Sequence, residues 1–305
     1  MFAGLSSGGE IRAFAKINLH LRVLNKRDDG YHYIVSLMSA IGLNDLLKLE
    51  QIDNDVEGGP TVDIIPRGGS YESVITSTPP GENIIHKAVM RYCGEAGIQS
   101  RIIFGIEKNI PAGAGMGGGS ADAAAALRLL NDRYGRFTAA QLAEIGKGIG
   151  ADVPFCLIGG TALCEGIGER ITPLKGRLMY PVVIANNGVH VNTAAAYRLL
   201  RRGPEIPYTP EMLAEEKRKL ADAVEQGNLE YVAYLLANDF EEPVFRDFPA
   251  ICSIKKAMFE TGAFHAAMTG SGSTVIGLFK NTAQAEDAAA CLRKTIKLVI
   301  VTSFI

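Results

Sequence analysis

Between Pro111 and Leu130 the chain reads PAGAGMGGGSADAAAALRLL, and five of the seven residues from Gly113 to Gly119 are glycine. Without a Cβ, such a run lets the backbone take left-handed angles and come close to a ligand. The Ala- and Leu-rich residues that follow favour helix, and Ser120 is a good N-cap for it. Loop amides and the positive end of that helix together make an anion site, for which phosphate is the expected occupant. A glycine turn that caps a helix and binds nothing is the competing reading; it suits one or two glycines better than five.

Gly113-x-Gly115-x-x-Gly118 formally fits the dinucleotide fingerprint. There, however, the first glycine follows directly on a buried strand, and an acidic residue on a second strand lies about 20 residues on. Here Lys108, Asn109 and Pro111 separate strand from loop, and two helical stretches follow. A Walker A loop needs a Lys before its Ser or Thr, and Gly119 precedes Ser120. Both readings fail, leaving a phosphate loop of a third kind.

The elements that must position this loop follow from periodicity. Ile11 to Val23 alternates, with Ile11, Ala13, Ala15, Ile17, Leu19 and Leu21 facing one way and Lys16, Asn18, His20 and Arg22 the other, as in a half-covered strand. Lys16 and Asn18 then share a face, about 7 Å apart. NKRDDGYHY (25–33) reads as a charged turn delivering Tyr31 and His32. Apolar residues 34–40, DLLKLEQ (45–51) and TVDII (61–65) are strand-like, and the rest of 53–81 reads as a loose connection. Helices are expected over 82–96, after Ser120, and over 138–147 from a Thr138 cap, with strand 101–107 between the first two. GIGADVPF (148–155) makes a tight turn holding Asp152. Further on, 161–164 and 180–185 read as strands and a helix starts near Asn192 or Thr193. Long helices are expected over 211–225, 228–237 and 250–261. The pattern closes with strands 263–268 and 273–279 around TGSGS (269–273), helix 282–294 and strand 296–304. Strand–loop–strand–helix–strand is an α+β ending.

At 305 residues, 47% of them hydrophobic, the chain is long enough for about two domains. Lys and Arg total 31 against 33 Asp and Glu, so no global field attracts nucleic acid or an anionic membrane. The five cysteines are scattered with no CxxC, as expected of reduced thiols in the cytoplasm. The first residues lack the basic and apolar regions of a signal peptide, and no window suits a spanning helix.

AKINLHL (15–21), PAGAGMGGGSADAA (111–124) and TGSGSTVIGLF (269–279) resemble the three motifs of the galactokinase, homoserine, mevalonate and phosphomevalonate (GHMP) kinase superfamily. The longer AKINLHLRVLNKRDDGYH and GADVPF narrow the resemblance to the branch acting on a cytidine-diphosphate-linked methylerythritol in non-mevalonate isoprenoid biosynthesis. It covers residues 13 to about 280. It implies a two-domain α+β fold, with an N-terminal ribosomal-protein-S5-like α/β domain and a C-terminal ferredoxin-like α+β domain. The expected boundaries are 1–165 for ATP binding and catalysis and 166–305 contributing to substrate binding, with the site in the cleft between them. The implied reaction is ATP-dependent, Mg²⁺-assisted transfer of the γ-phosphoryl to the substrate's 2-hydroxyl.

By the same resemblance Asp152 matches the catalytic aspartate and Lys16 its partner. Pro111, Ala112, Gly113, Ala114, Gly115, Met116, Gly117, Gly118, Gly119, Ser120 and Ala121 match the ATP phosphate cradle. Asn83 and Lys108 fall where relatives contact adenine. Tyr31 and His32 match the cytosine-recognition pair, Tyr197 a second aromatic against the base with Thr193 near it, and Asn18 joins the substrate residues. An alcohol acceptor suits a carboxylate base kept ionised by a cation; the competing reading of Asp152 is a cap before Val153-Pro154. Asp122 reads as structural or as acting through Mg²⁺. The chain departs from the pattern at Asn187-Gly188, where Pro-Gly is common, at Asn192, and at Met116, where Leu is usual. The rival functions are another small-molecule kinase of the superfamily, of homoserine or mevalonate type, and a catalytically silent nucleotide sensor.

Overall fold

A computed structural model describes residues 9–54, 57–200 and 208–305; the stretch read for a signal peptide lies mostly outside them. In chain order the elements are β1 (Glu10–Lys26), β2 (His32–Asn54), β3 (Thr61–Pro66), α1 (Glu72–Ser77), α2 (Ile84–Ala96), β4 (Ser100–Glu107), α3 (Gly118–Tyr134), α4 (Ala139–Lys147) and α5 (Val153–Ile158). There follow β5 (Thr161–Gly166), β6 (Arg170–Pro173), β7 (Pro181–Asn186), α6 (Thr193–Leu199), α7 (Pro210–Glu225), α8 (Glu241–Asp247), α9 (Pro249–Glu260), β8 (His265–Met268), β9 (Val275–Leu278), α10 (Thr282–Leu292) and β10 (Leu298–Ser303).

Two compact units share these elements. The first holds residues up to Lys16, Leu43–Ala112 and Gly117–Gly159; the second holds Ile17–Gly42, Gly113–Met116 and Gly160–Ile305. The expected single cut near 165 differs from this division, because the long strands β1 and β2 each contribute one end to either unit.

In the first unit the C-terminal half of β2 pairs antiparallel with β4, from Leu46 opposite Glu107 to Asn54 opposite Ser100. β3 joins β4 in parallel register, Thr61 opposite Arg101. Helices α2 and α3 pack together, as do α3 with α5 and α4 with α5. Ala121 and Ala123–Ala126 leave α3 buried nearly all round, in the same core as Ile85, Ala88, Val89 and Tyr92 of α2. Their burial removes apolar area from water at roughly 25 cal/mol per Å². The α4 start follows expectation: Thr138 caps it in a reciprocal box with Gln141.

In the second unit the N-terminal half of β2 pairs antiparallel with β5, and β5 with β6. A separate four-stranded antiparallel sheet runs β10-β7-β9-β8, with α9 and α10 packed on it.

Three expectations are corrected. Ser120 is not the α3 cap: the helix begins two residues earlier, and Gly117, at φ +67°, occupies the cap with no side-chain bond. Residues 228–237 form a single 3-10 turn, Glu230–Val232, rather than a helix. Leu229, Val232 and Leu236 are buried at helical spacing, but the chain turns away to pair with β1 through Leu21 N–H to Ala237 O (2.8 Å) and Asp239 N–H to Leu21 O (3.0 Å). Residues 66–81, read as a loose connection, contain α1. The polar face of β1 is also covered: Lys16, Asn18 and His20 are all buried.

Candidate active site

The expected site residues fall in both units, and each group is coherent within its own. In the first unit the β1 strand carries Lys16 inward, and its Nζ lies 3.3 Å from Asp152 Oδ2. Asp152 stands at the position before α5, yet its side chain makes no capping bond. The cap reading therefore fails, and the carboxylate, 29% exposed, is left to Lys16 and to solvent. Gly117 closes on the same lysine: a Cβ there would sit 2.9 Å from Lys16 Cγ. The first turn of α3, from Gly118, thus starts beside an ion pair, and its leading amides have no intrahelical acceptor.

Gly113, Gly115 and Gly117 have φ of +65°, +81° and +67°. Left-handed residues at every second position are the kind of backbone from which anion nests are built. Met116 is buried, so its exchange for the usual Leu is a core swap of similar volume.

Below the loop is a group that sequence reading only half saw. Lys108 is buried with Asp45 and Asp122. Its Nζ donates to Asp122 Oδ2 at 2.7 Å and to Asp45 Oδ2. Asp45 Oδ1 also accepts from the amides of Asn109 and of Ile110, the latter at 2.8 Å. Gly118 passes over the ammonium: a Cβ on it would meet Ile110 Cγ2 at 2.8 Å and Lys108 Nζ at 3.3 Å. Burial pushes the Asp122 carboxyl well above the ordinary range against the pull of Lys108. Lys108 itself is raised, the two carboxylates outweighing desolvation. Asp122 Oδ1 is buried without a hydrogen-bond partner. No motif marks Asp45; its isolated carboxylate inside an apolar strand was the available signal.

Asn83 and Lys108, the expected adenine contacts, have tasks of their own. Asn83 caps α2, accepting from Ile85 N at 2.9 Å. Besides its ion pairs, Lys108 bonds through its backbone N–H to Gly68 O and through its carbonyl to Tyr71 N, both at 2.9 Å. The bond from buried Lys108 to Asp122 Oδ2 is what the structural reading of Asp122 expects. Among the described residues no group of three or more His, Cys, Asp or Glu could hold a metal.

In the second unit the structure stacks His32 on Tyr197, ring centroids 5.0 Å apart and planes 23° from parallel. Phe240 meets the Tyr197 ring edge-on at 4.9 Å. Tyr31, in the adjoining turn, is 59% exposed. Thr193 begins α6 one turn before Tyr197, and its hydroxyl lies 3.0 Å from Ser271 Oγ. Asn18 donates from Nδ2 to Ser36 Oγ (2.8 Å) and from its backbone N–H to Thr269 Oγ1 (2.8 Å). Loops 113–116 and 269–272 touch backbone to backbone: a Cβ on Gly115 would lie 2.6 Å from Thr269 O. Sequence reading missed Ser36 and Phe240, each an ordinary residue made useful by what folds onto it.

Two family models match the chain, the GHMP kinases N terminal domain over residues 83–160 and the GHMP kinases C terminal over 220–298. A 4-diphosphocytidyl-2-C-methyl-D-erythritol kinase of Caldicellulosiruptor saccharolyticus is 40% identical over 297 residues, covering 96% of each chain. One of Clostridium botulinum is 36% identical, over 95% of this chain and 98% of that protein. A crystal structure of 4-(cytidine 5'-diphospho)-2C-methyl-D-erythritol kinase aligns with TM-score 0.74 and 31% identity over 97% of this chain and 98% of that one. A homoserine kinase from Cytophaga hutchinsonii aligns at TM-score 0.69 over 98% and 96% of the two chains, with 18% identity, a likeness of fold alone.

Proposed function

The chain belongs to the GHMP kinases, and from that premise we propose that it transfers the γ-phosphoryl of ATP to the 2-hydroxyl of 4-diphosphocytidyl-2-C-methyl-D-erythritol, giving the 2-phosphate and ADP. The product belongs to non-mevalonate isoprenoid precursor synthesis. The observation that carries the reading is the Lys16–Asp152 pair at 3.3 Å beside Gly117 of the glycine loop.

Phosphoryl transfer asks for positioning and charge neutralisation more than for covalent chemistry. The amides of 113–121 receive the triphosphate, aided by the α3 dipole. Asp152 accepts the proton of the 2-hydroxyl as its oxygen bonds to the γ-phosphorus and the bond to the β-phosphate oxygen breaks, releasing ADP. Lys16, 3.3 Å from Asp152 Oδ2, orients that carboxylate toward the acceptor. Asn83 and Lys108 act beside the base by fixing the start of α2 and the floor of the loop. Mg²⁺, if bound with ATP, would supply charge neutralisation for the phosphates; none of this chain's described side chains is assigned to hold it.

His32, Tyr197 and Tyr31 provide aromatic surface for the cytosine, with Thr193 and Asn18 near the acceptor. Stacking is worth about 1–3 kcal/mol per base but tolerates any base, so discrimination falls to hydrogen bonds at His32. Homoserine and mevalonate offer no base to stack. No disulfide joins the five cysteines and none of the described helices is long and apolar enough to cross a membrane, which supports a cytoplasmic site of action. Coupled ADP release with each alcohol tests the proposal: turnover with the cytidylyl substrate is expected, and turnover with mevalonate or homoserine instead would overturn it.

A further inference from the structure

The four residues Asn238-Asp239-Phe240-Glu241 belong to none of the motifs that drew attention in the sequence, yet they touch both halves of the second unit's ligand surface. Asn238 is buried, and its Nδ2 donates to Met268 O at 2.6 Å and to Gly270 O at 2.8 Å. Its Oδ1 accepts from Phe240 N at 2.9 Å. Both amide hydrogens and the amide oxygen are thus committed, which fixes which way the side chain faces. Glu241 adds a third tie, accepting from Met268 N at 2.8 Å through Oε1, while Lys255 holds its Oε2 at 2.6 Å.

The loop these ties hold is the one that carries the nucleotide loop. At Gly270, φ +59°, a Cβ would lie 3.1 Å from Gly115 O and 3.6 Å from Asn18 Oδ1. A shift of a few tenths of an ångström in 268–270 is therefore passed to 113–116, because close-packed backbone has no slack to absorb it. Two residues along, Phe240 is buried and sets its ring edge against Tyr197, which stacks on His32. Asp239 anchors the segment between these two: Oδ2 accepts from Val23 N at 2.9 Å, and Oδ1 from Arg22 Nη1 at 3.1 Å and Tyr208 Oη at 2.7 Å.

We infer that Asn238 and Phe240 are positioning residues for two different ligands, Asn238 setting the 268–270 loop against the ATP loop and Phe240 setting the Tyr197–His32 platform for the cytosine. The inference rests on the proposed function for the identity of those ligands. Its signature is a split: each substitution disturbs one ligand and spares the other, whereas a general loosening of the unit would disturb both.

The test uses the full chain and equilibrium titration with a non-hydrolysable ATP analogue and with cytidine 5′-diphosphate. Asn238→Asp keeps the shape but turns oxygen toward two carbonyl oxygens. The loss of two hydrogen bonds should weaken the ATP analogue about tenfold or more and change cytidine diphosphate by less than about twofold. Phe240→Leu should do the reverse, with KM for the cytidylyl substrate rising and KM for ATP held. Should Asn238→Asp not fold, Asn238→Ser removes the same two bonds without adding charge and carries the same expectation. Parallel weakening of both ligands by either variant, or no weakening by either, would overturn the inference. A wild-type protein that binds the ATP analogue but not cytidine diphosphate would bring down the proposed acceptor, while the Asn238 half still stands or falls on the ATP analogue.

Discussion

Two lysines lie beside Gly117 and Gly118 at the start of α3 in the first unit, and the protein uses them in opposite ways. Lys16 faces one carboxylate, Asp152, which keeps contact with solvent. Lys108 is sealed between two, Asp45 and Asp122, each no more than 3% exposed in its side chain. A carboxylate that solvent reaches can also be reached by an incoming hydroxyl and is placed to take its proton. A sealed one cannot meet a substrate, and its ions are held by each other at a large desolvation cost. In the proposed mechanism it is accessibility, more than the identity of the ion pair, that separates the group assigned the chemistry from the group that packs beneath the start of α3.

The sharpest way to break this contrast is to remove the buried cation. Lys108→Met strips Asp122 of its bonded lysine and leaves Asp45 only the amides of Asn109 and Ile110, and stability should fall by about 3–5 kcal/mol. Urea unfolding at neutral pH measures it; a loss below about 1 kcal/mol would mean the triad does not hold the loop's floor.

A third buried ionisable group extends the contrast, since it is sealed without any counter-ion. Burial, aided by Lys255 and His20, lowers His265 to about 4 from its ordinary 6.5, and its Nε2 has no hydrogen-bond partner. Between pH 6.5 and 4 the unfolded chain binds a proton there and the folded one does not. Stability is then highest above pH 6.5 and falls as pH drops toward 4, by about 3 kcal/mol from this residue. His265→Leu should flatten that part of the pH–stability curve.

The smallest effect expected concerns the aromatics, where Tyr31 is exposed and Tyr197 is packed between His32 and Phe240. Tyr31→Ala should leave stability nearly unchanged and weaken the cytidylyl substrate by about 1–3 kcal/mol, with ATP little affected. Equal losses for both ligands would remove Tyr31 from the base site.

Much of this was legible in the chain. Alternation gave β1, the glycine run gave a left-handed loop leading into a helix, and Thr138 with Gln141 gave the start of α4. These are local signals, set by neighbours a few residues away. What escaped depended on distant partners. Asp45 becomes meaningful only when Lys108 folds over it, and Ser120 lost the cap because Gly117 could turn the chain sooner. The 228–237 stretch has helical spacing but gives its backbone to β1, and that same detour creates the Asn238–Glu241 clamp. Tertiary hydrogen bonds outweighed propensity there.

The claim on which the mechanism depends is that Asp152 takes the acceptor's proton. Single-turnover phosphoryl transfer by Asp152→Asn, measured alongside ATP affinity, tests it most directly. The rate should drop at least ~100-fold while ATP affinity stays within a few-fold. Transfer at the wild-type rate in that variant would contradict the account.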